Sequence, residues 1–185
     1  TGPTVLIPAG TGSSVGFSST TPLLSLGWKL SKDISAYARY AEGFKGGGFN
    51  GEAQDVKETL TPYKPEKQRS TEVGLKSTLA GGKAQINIAL FDNRSRDLQQ
   101  AVFTAKGSAA SNIRNVGQAS TRGLEIETAF RPTSNLRLQA NYGFLKASYS
   151  EYMELGANVA DNRAVVHAPR HTLNLVADAT LAKSP

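Results

Sequence analysis

Residues 12–16, GSSVG, fit the G-x-S-x-G pattern that surrounds the nucleophilic serine of many hydrolases, with Ser14 at its centre. In those enzymes a buried strand runs into the motif and a helix leaves it, so that the serine is held on a sharp turn. Here PAGT precedes the motif and FSSTTP follows it, and no histidine or acid lies in a setting that suggests a triad. The context favours a flexible loop, and no catalytic residue is assigned.

His167 and His171 are the only histidines, and imidazole nitrogen is a common metal ligand. On an extended chain, residues four positions apart lie about 13 Å from each other, too far to share one metal ion directly. Pro169 could bend the chain and shorten that distance, which leaves a metal site open. The pattern favours a transition from loop to strand at a membrane surface, and no metal ligand or cofactor is assigned.

Glu125 and Glu127 lie in the stretch NVGQASTRGLEIETAF, residues 115–130. Paired carboxylates can act as general acid and base. From Gly123 onward, however, apolar and polar residues alternate as in a strand with two different faces. Arg131 follows on the same strand and Arg137 lies on the next. We therefore expect the two carboxylates to belong to a network of charges on a hydrated face.

Other candidate ligand contacts are defined by position alone. The glycine-rich stretch GFKGGGFN, residues 43–50, lacks the Gly-Lys-Ser/Thr of a phosphate-binding loop and is interpreted as a loop that leaves a sheet. Tyr63, Arg114 and Arg163 are placed where long loops are expected. None of the three is assigned, so the ligand-binding residues stay unknown at this stage.

These residues must be positioned by strands, because apolar and polar residues alternate along the sequence with a period of two and helical patterns are absent. Turn signals occur at 31–33, 80–82, 131–135 and 182–185, at nearly regular intervals. Three long loops are expected at 45–67, 104–118 and 151–168. Short turns at one end and long loops at the other are typical of bacterial outer-membrane barrels. Seven strands are predicted, at about 22–30, 34–44, 68–79, 83–103, 113–131, 135–150 and 170–181.

Each predicted strand has one apolar face, which either a protein core or lipid could cover. Four or five apolar positions per strand suit the 9–11 residues that a tilted strand needs to cross a bilayer. Aromatic residues of the apolar face lie towards the strand ends, as in an interfacial girdle; they are Trp28, Tyr40, Phe44, Tyr142 and Phe144. The alternative is a secreted soluble β-sandwich or adhesin-like binding module, in which that face would form the core.

Composition excludes several other classes of protein. No run approaches the roughly eighteen apolar residues of a membrane helix. The chain has no cysteine, which excludes disulfide scaffolds and thiolate metal sites. Its formal net charge is +6, yet charges cancel across the three predicted loops, so the excess lies in strands and tight turns. No basic run with interleaved aromatics occurs, which argues against nucleic-acid binding.

Five segments, taken in order, resemble successive pieces of the barrel of a TonB-dependent outer-membrane receptor, and the resemblance covers about residues 22–181. They are SAYARYAEGFKGGGFN, YKPEKQRSTEVGLKST, INIALFDNRSRDLQ, NVGQASTRGLEIE and LRLQANYGFLKASYSEY. The resemblance implies an antiparallel, up-and-down transmembrane β-barrel. Members of that family are not enzymes; they import scarce ligands such as ferric siderophores, cobalamin or sugars.

The same resemblance implies what should accompany this chain. A family barrel of about 22 strands encloses an N-terminal plug, and a periplasmic TonB-type protein drives import by contacting an N-terminal box. Seven strands cannot close such a barrel, so we expect residues 22–185 to be an interior part of it, without plug or terminal strands. Residues 1–21 are expected to be the remnant of an extracellular loop. Outer-membrane lipid, the plug, the coupling protein and a small ligand such as an iron complex are the implied partners.

Overall fold

A computed structural model of the chain describes residues 8, 10–51, 53, 56–103, 111–154 and 156–181. Within these residues the strands form one antiparallel sheet, and each long strand pairs with the next long strand along the chain. The elements in chain order are β1 Leu23–Lys29, β2 Ile34–Lys45, α1 Val56–Leu60, β3 Glu66–Leu79, β4 Ala84–Phe103, β5 Ser111–Thr133, β6 Leu136–Glu154, β7 Ala157–Asn158 and β8 His171–Ala179.

The seven predicted strands and their up-and-down order are confirmed. β4, β5 and β6 contain 20, 23 and 19 residues, far more than the roughly five or six of an average strand. β7 is a two-residue addition that pairs with the end of β6. The sequence shows no helical pattern, yet α1 forms a short helix inside the first loop. Five residues are too few to produce a detectable helical period in the sequence.

Short connections lie at one end of the sheet, as predicted. Between β1 and β2 the hydroxyl of Ser31 accepts hydrogen bonds from the backbone N–H groups of Asp33 and Ile34, at 3.2 and 3.1 Å. The turn between β3 and β4 contains Gly81 and Gly82 with φ of 65° and 91°, values that glycine adopts without steric cost. β5 and β6 are joined by two residues, and the predicted turn at 182–185 lies outside the described residues.

The long connections at the other end differ in detail from the prediction. β5 begins at Ser111, so residues 111–118 are strand although a loop was expected over 104–118; residues 104–110 lie outside the described residues. β6 continues to Glu154, so the third loop is also shorter than expected. No helix among the described residues is long and apolar enough to cross a membrane.

The register places nearly all large apolar side chains on one side of the sheet, the apolar face. Residues directly opposite each other on antiparallel strands point to the same side. Leu26 of β1 leads across the ladder to Ala38, Val73, Leu90, Leu124 and Phe144. The opposite side, the polar face, carries Ser25, Tyr37, Gln68, Asn87, Glu127 and Asn141, among others.

The apolar face packs against no second layer in the described part of the chain. Only Val116 and Ala160 are buried apolar residues among those described, and neither lies in the middle of the sheet. A β-sandwich needs two sheets with interdigitating inner faces, so the sandwich alternative is not the fold observed. Large side chains of the apolar face that remain exposed include Leu24, Leu26, Trp28, Leu75, Leu90, Phe130, Leu138, Leu173 and Leu175.

Candidate functional site

A cavity of about 660 Å³ lies at the long-loop end of the sheet, between residues 50–64 and the extended parts of β4 and β5. Backbone pairing holds the base of the first loop together: the N–H and carbonyl of Gly48 bond to the carbonyl and N–H of Tyr63, at 3.2 and 2.8 Å. The residues that line the cavity are Asn50, Lys57, Glu58, Thr61, Pro62, Tyr63, Lys64, Asp97, Asn112, Ile113, Arg114 and Asn115.

Two asparagine side chains fasten the first loop to the long strands. The amide of Asn50 pairs with the backbone of Ile113, accepting from its N–H at 2.7 Å and donating to its carbonyl at 3.1 Å. Asn115 does the reverse from β5: it accepts from the N–H of Lys64 at 2.7 Å and donates to the Lys64 carbonyl at 2.9 Å. Such side-chain amides substitute for the strand partners that the loop backbone lacks.

An irregularity in the β4–β5 ladder lets both strands continue above the regular sheet. The register shifts around Leu98, where Asp97 has a φ of 53° and Gly117 a φ of 150°. Asn115 also donates to the Asp97 carbonyl at 2.7 Å, which satisfies a backbone group that the bulge leaves unpaired. Gln99, just beyond, is buried and donates to the carbonyls of Gly46 and Lys64, at 2.9 and 3.1 Å.

The cavity wall combines an ion pair with a buried amide. Glu58 of α1 accepts from Arg114 at 3.1 Å and from the amide nitrogen of Asn112 at 3.0 Å. Asn112 is 2% exposed, and its side-chain oxygen has no hydrogen-bond partner among the described residues. A buried polar atom without a partner costs free energy unless something binds it. The Asn112 oxygen is an acceptor, whereas Lys57, Lys64, Tyr63 and Arg114 of the same lining present donors of the kind that an oxygen-rich ligand requires.

Three residues were considered as ligand contacts because they lie in predicted long loops, and the structure brings two of them together. Tyr63 and Arg114 both line the cavity. Arg163 lies elsewhere: it pairs with Glu154 and its guanidinium lies over the ring of Tyr152, 5.7 Å from the centroid. The hydrogen bond to Glu154 raises the pKa of the Arg163 guanidinium. That arginine is therefore occupied within the third loop and takes no part in the cavity.

The remaining candidates do not assemble into a reactive site. Residues 11–22, around Ser14, form neither a strand nor a helix, so the geometry that the serine motif requires is not present there. His171 begins β8, where its Nδ1 lies 2.9 Å from the hydroxyl of Tyr142. In the described part of the chain no group of three or more metal-ligating side chains includes either histidine.

Glu125 and Glu127 lie on the polar face, as expected, but not in the predicted network. Within the described residues neither forms an ion pair with Arg131 or Arg137. The Glu127 carboxylate instead accepts from the side-chain amide of Asn87 across the ladder, at 3.3 Å. Arg137 lies opposite Asp178 on β8. Register, which alternation alone cannot fix, decides which charges meet.

Sequence reasoning missed the amides that build the cavity: Asn50, Gln99, Asn112 and Asn115. Asn112 and Asn115 stand in SNIRN, next to an arginine, and such density of amides in a stretch expected to be a loop was the available signal. Their partners are between 18 and 63 positions away in the chain. No local pattern encodes those pairings.

Comparison with known proteins is consistent with this fold. The model of the family described as "TonB dependent receptor-like, beta-barrel" matches residues 2–182. Among solved structures, the ferric yersiniabactin uptake receptor FyuA from Yersinia pestis superposes with a TM-score of 0.65 at 21% identity, over 87% of this chain and 23% of that one.

Two curated relatives are named as receptors. The metal-pseudopaline receptor CntO of Pseudomonas aeruginosa is 22% identical over 156 residues, which is 84% of this chain and 20% of the relative. The ferrioxamine B receptor of Salmonella typhimurium is 24% identical over 138 residues, or 75% of this chain and 18% of the relative. The chain thus spans about a fifth of the length of these relatives.

Proposed function

We propose, because this chain belongs to the TonB-dependent receptor family, that it forms a wall segment of an outer-membrane importer for a metal–chelate ligand such as a ferric siderophore. Members of this family are outer-membrane proteins. The names of the relatives support the ligand class, since pseudopaline, ferrioxamine B and yersiniabactin are all received with a metal. We place the contribution of this segment to ligand binding in the cavity at the long-loop end.

The observation that carries the proposal is the pair of cationic donors Arg114 and Lys64, which line the same cavity. Metal chelates of this class present carboxylate, hydroxamate or phenolate oxygens, which accept hydrogen bonds from guanidinium, ammonium and amide groups. Arg114 is oriented by Glu58 and remains exposed on its other edge. A ligand oxygen that reaches Arg114 would therefore meet a donor that is already held in place.

Import needs parts beyond this segment. A plug inside the barrel and a periplasmic TonB-type coupling protein supply the gate and the energy, and the segment contributes binding and wall. The short turns at 30–33, 80–83 and 134–135 then face the periplasm, and the first and third loops face the exterior. In this arrangement the chain performs no bond-making chemistry; ligand capture is followed by passage along the polar face of the barrel.

Arg114→Ala in the full-length receptor tests the proposal. We expect it to weaken ligand binding by about 1.5–3 kcal/mol, because a hydrogen bond between charged groups is lost. Cells without other siderophore receptors are supplied, one compound at a time, with ferrioxamine B, ferric yersiniabactin and metal–pseudopaline. Uptake of radioactive iron and binding to the purified receptor are both measured.

Arg163→Ala is the matched control, because Arg163 is also an exposed arginine that pairs with a glutamate, but it lies outside the cavity. Its uptake and binding should equal those of the wild type. If the wild-type receptor binds none of the three compounds, the ligand class is wrong. If the two variants lose binding equally, the cavity is not the binding site.

A further inference from the structure

The large apolar side chains of the apolar face, which include Leu26, Val73, Leu90, Leu124 and Phe144, are here called the apolar stripe. Six cations lie together on the same face, immediately beyond the end of this stripe, and are here called the cationic belt. On β5 and β6 the step from apolar to basic is a single position on that face: Arg122 follows Leu124, and Lys146 follows Phe144. On β4 the stripe also ends within one position on that face, where the acidic residue Asp92 follows Leu90. The belt consists of Lys67, Arg69, Arg94, Arg96, Arg122 and Lys146.

Within the belt, cations stand directly opposite cations. Lys67 pairs with Arg96, Arg69 with Arg94, and Arg122 with Lys146. Directly opposed side chains on an antiparallel ladder have Cβ atoms about 4.5–5.5 Å apart, and like charges at that distance destabilise the sheet. Three such pairs in neighbouring positions are unfavourable unless an anion lies among them.

The polar face shows the opposite arrangement. Every charged residue that stands opposite another charge there meets the opposite sign: Arg39 meets Glu72, Lys45 meets Glu66, and Arg137 meets Asp178. Among the described residues, five cations and five acids are paired into the ladder on that face, so their formal charge is zero. Among the described residues that the ladder pairs before the register shift at Ala119, the acids on the apolar face are Glu42 and Asp92, so the six cations of the belt leave four positive charges there.

The two acids neutralise only part of the belt. Asp92 binds both Arg94 and Arg122, at 2.9 and 2.6 Å, and Glu42 lies 3.7 Å from Arg69. Within the described part of the chain, Lys67, Arg96 and Lys146 form no ion pair. Lys67 and Arg96 line a cavity of about 330 Å³ together with Ser18, Thr20 and Arg94.

A second cavity joins the belt to the apolar stripe. About 470 Å³ in volume, it has Arg122, Lys146 and Asp92 at one end, and its apolar residues are Val73, Leu90, Phe91, Leu124 and Phe144. Aromatic rings mark the same boundary: Arg69 lies over Tyr40, with 5.9 Å between guanidinium carbon and ring centroid, and Arg170 lies over Phe144 at 5.7 Å. Aromatic side chains concentrate at the membrane–water interface.

We propose that the cationic belt binds the phosphorylated headgroup of an outer-leaflet lipid whose acyl chains lie along the apolar stripe. The inference rests on the proposed outer-membrane location of the chain. Phosphate oxygens accept bidentate hydrogen bonds from arginine, and basic clusters at a membrane boundary recognise anionic lipids. A freely diffusing anion would have no use for the adjoining apolar cavity, whereas a lipid fills both parts.

Lys67→Gln/Arg96→Gln in the full-length receptor is the main test, because neither side chain forms an ion pair with another described residue, so no ion pair seen in the fold is lost. The purified receptor is titrated in detergent with bisphosphorylated lipid A, and retained lipid is measured by native mass spectrometry. Loss of two cations should weaken binding about 30-fold, at roughly 1 kcal/mol for each. Lys146→Gln should weaken it about fivefold, which keeps the test open if the double variant fails to fold.

The matched control is Lys29→Gln/Arg39→Gln, which removes one lysine and one arginine from the polar face. It should retain lipid A as the wild type does. Equal losses in the two double variants, or equal affinity for dephosphorylated lipid A, would overturn the proposal. The proposal would also be overturned if inorganic phosphate displaced lipid A and bound as tightly as lipid A does, since the belt would then be a site for free anions. Iron uptake is measured separately, so failed uptake with intact lipid binding contradicts the proposed function alone.

Discussion

Ile88 and Asn87 are neighbours on β4, yet they face different surroundings. Ile88 stands opposite Leu75 and Ile126 in the apolar stripe. The Asn87 amide donates to Glu127 on the polar face. A single position in the chain therefore separates a side chain suited to lipid from one suited to water, which is the consequence of a period-two pleat.

Placing the same charge on both residues tests this separation. In the full-length receptor, folded reversibly into bilayers, Ile88→Arg should cost about 2–4 kcal/mol of unfolding free energy. Asn87→Arg should cost much less, because its guanidinium would project into water near Glu127. The free energies are measured by denaturant titration.

Ile88→Trp against Ile88→Leu then identifies what covers Ile88. A packed protein layer should penalise the larger indole by about 1–3 kcal/mol through overpacking. Lipid has no fixed shape, so we expect the two variants to be nearly equally stable. A large penalty for tryptophan would show that protein, not lipid, covers the apolar stripe at this point.

At the scale of elements, the long strands and short turns were predictable and the site was not. Alternation and turn residues such as Gly81-Gly82 are local signals, and they located all seven long strands. Phe91 breaks the alternation, but its ring lies over Gly123, where an added Cβ would come 2.4 Å from the ring. The extension of β5 back to Ser111, helix α1 and the asparagine contacts depend on side chains distant in sequence. Single-strand periodicity carries no information on such contacts.

Gly117→Ala tests the bulge that carries the strands up to the cavity. Gly117 has a φ of 150°, and an added Cβ would lie 2.1 Å from the Glu151 carbonyl oxygen on β6. The strained backbone alone should cost about 1–3 kcal/mol, and the contact with Glu151 adds to it. Denaturant unfolding of the full-length receptor in detergent measures the loss.

Gly43→Ala is the control for that variant, because Gly43 lies in β2 and no atom of the described residues beyond its chain neighbours comes within 4 Å of an added Cβ. It should be neutral or slightly stabilising, since alanine restricts the unfolded chain. If Gly117→Ala matches this control, the bulge does not hold the long strands in place.

At the scale of the whole molecule, the sheet sorts its surfaces without closing on itself. β1 and β8 each have one edge without a strand partner among the described residues. The apolar face exposes a continuous set of large side chains, from Leu24 and Trp28 on β1 to Leu173 and Leu175 on β8. Charges of opposite sign are paired on the polar face, and surplus cations are confined to one boundary of the apolar face. Such sorting suits a wall between lipid and water.

Residues 1–185 expressed alone should therefore depend on detergent for solubility. In water the unpaired edges of β1 and β8 offer N–H and carbonyl groups to other chains. The exposed large side chains of the apolar face add a continuous apolar surface, which favours association. We expect aggregation on removal of detergent, measured by size-exclusion chromatography with light scattering, while circular dichroism in micelles retains strand signal. The full-length receptor in the same detergent is the reference, because a closed barrel has no free edges. A monodisperse, detergent-free fragment with a sharp and reversible melting transition would contradict the prediction, since only a protein layer over the apolar face could produce it.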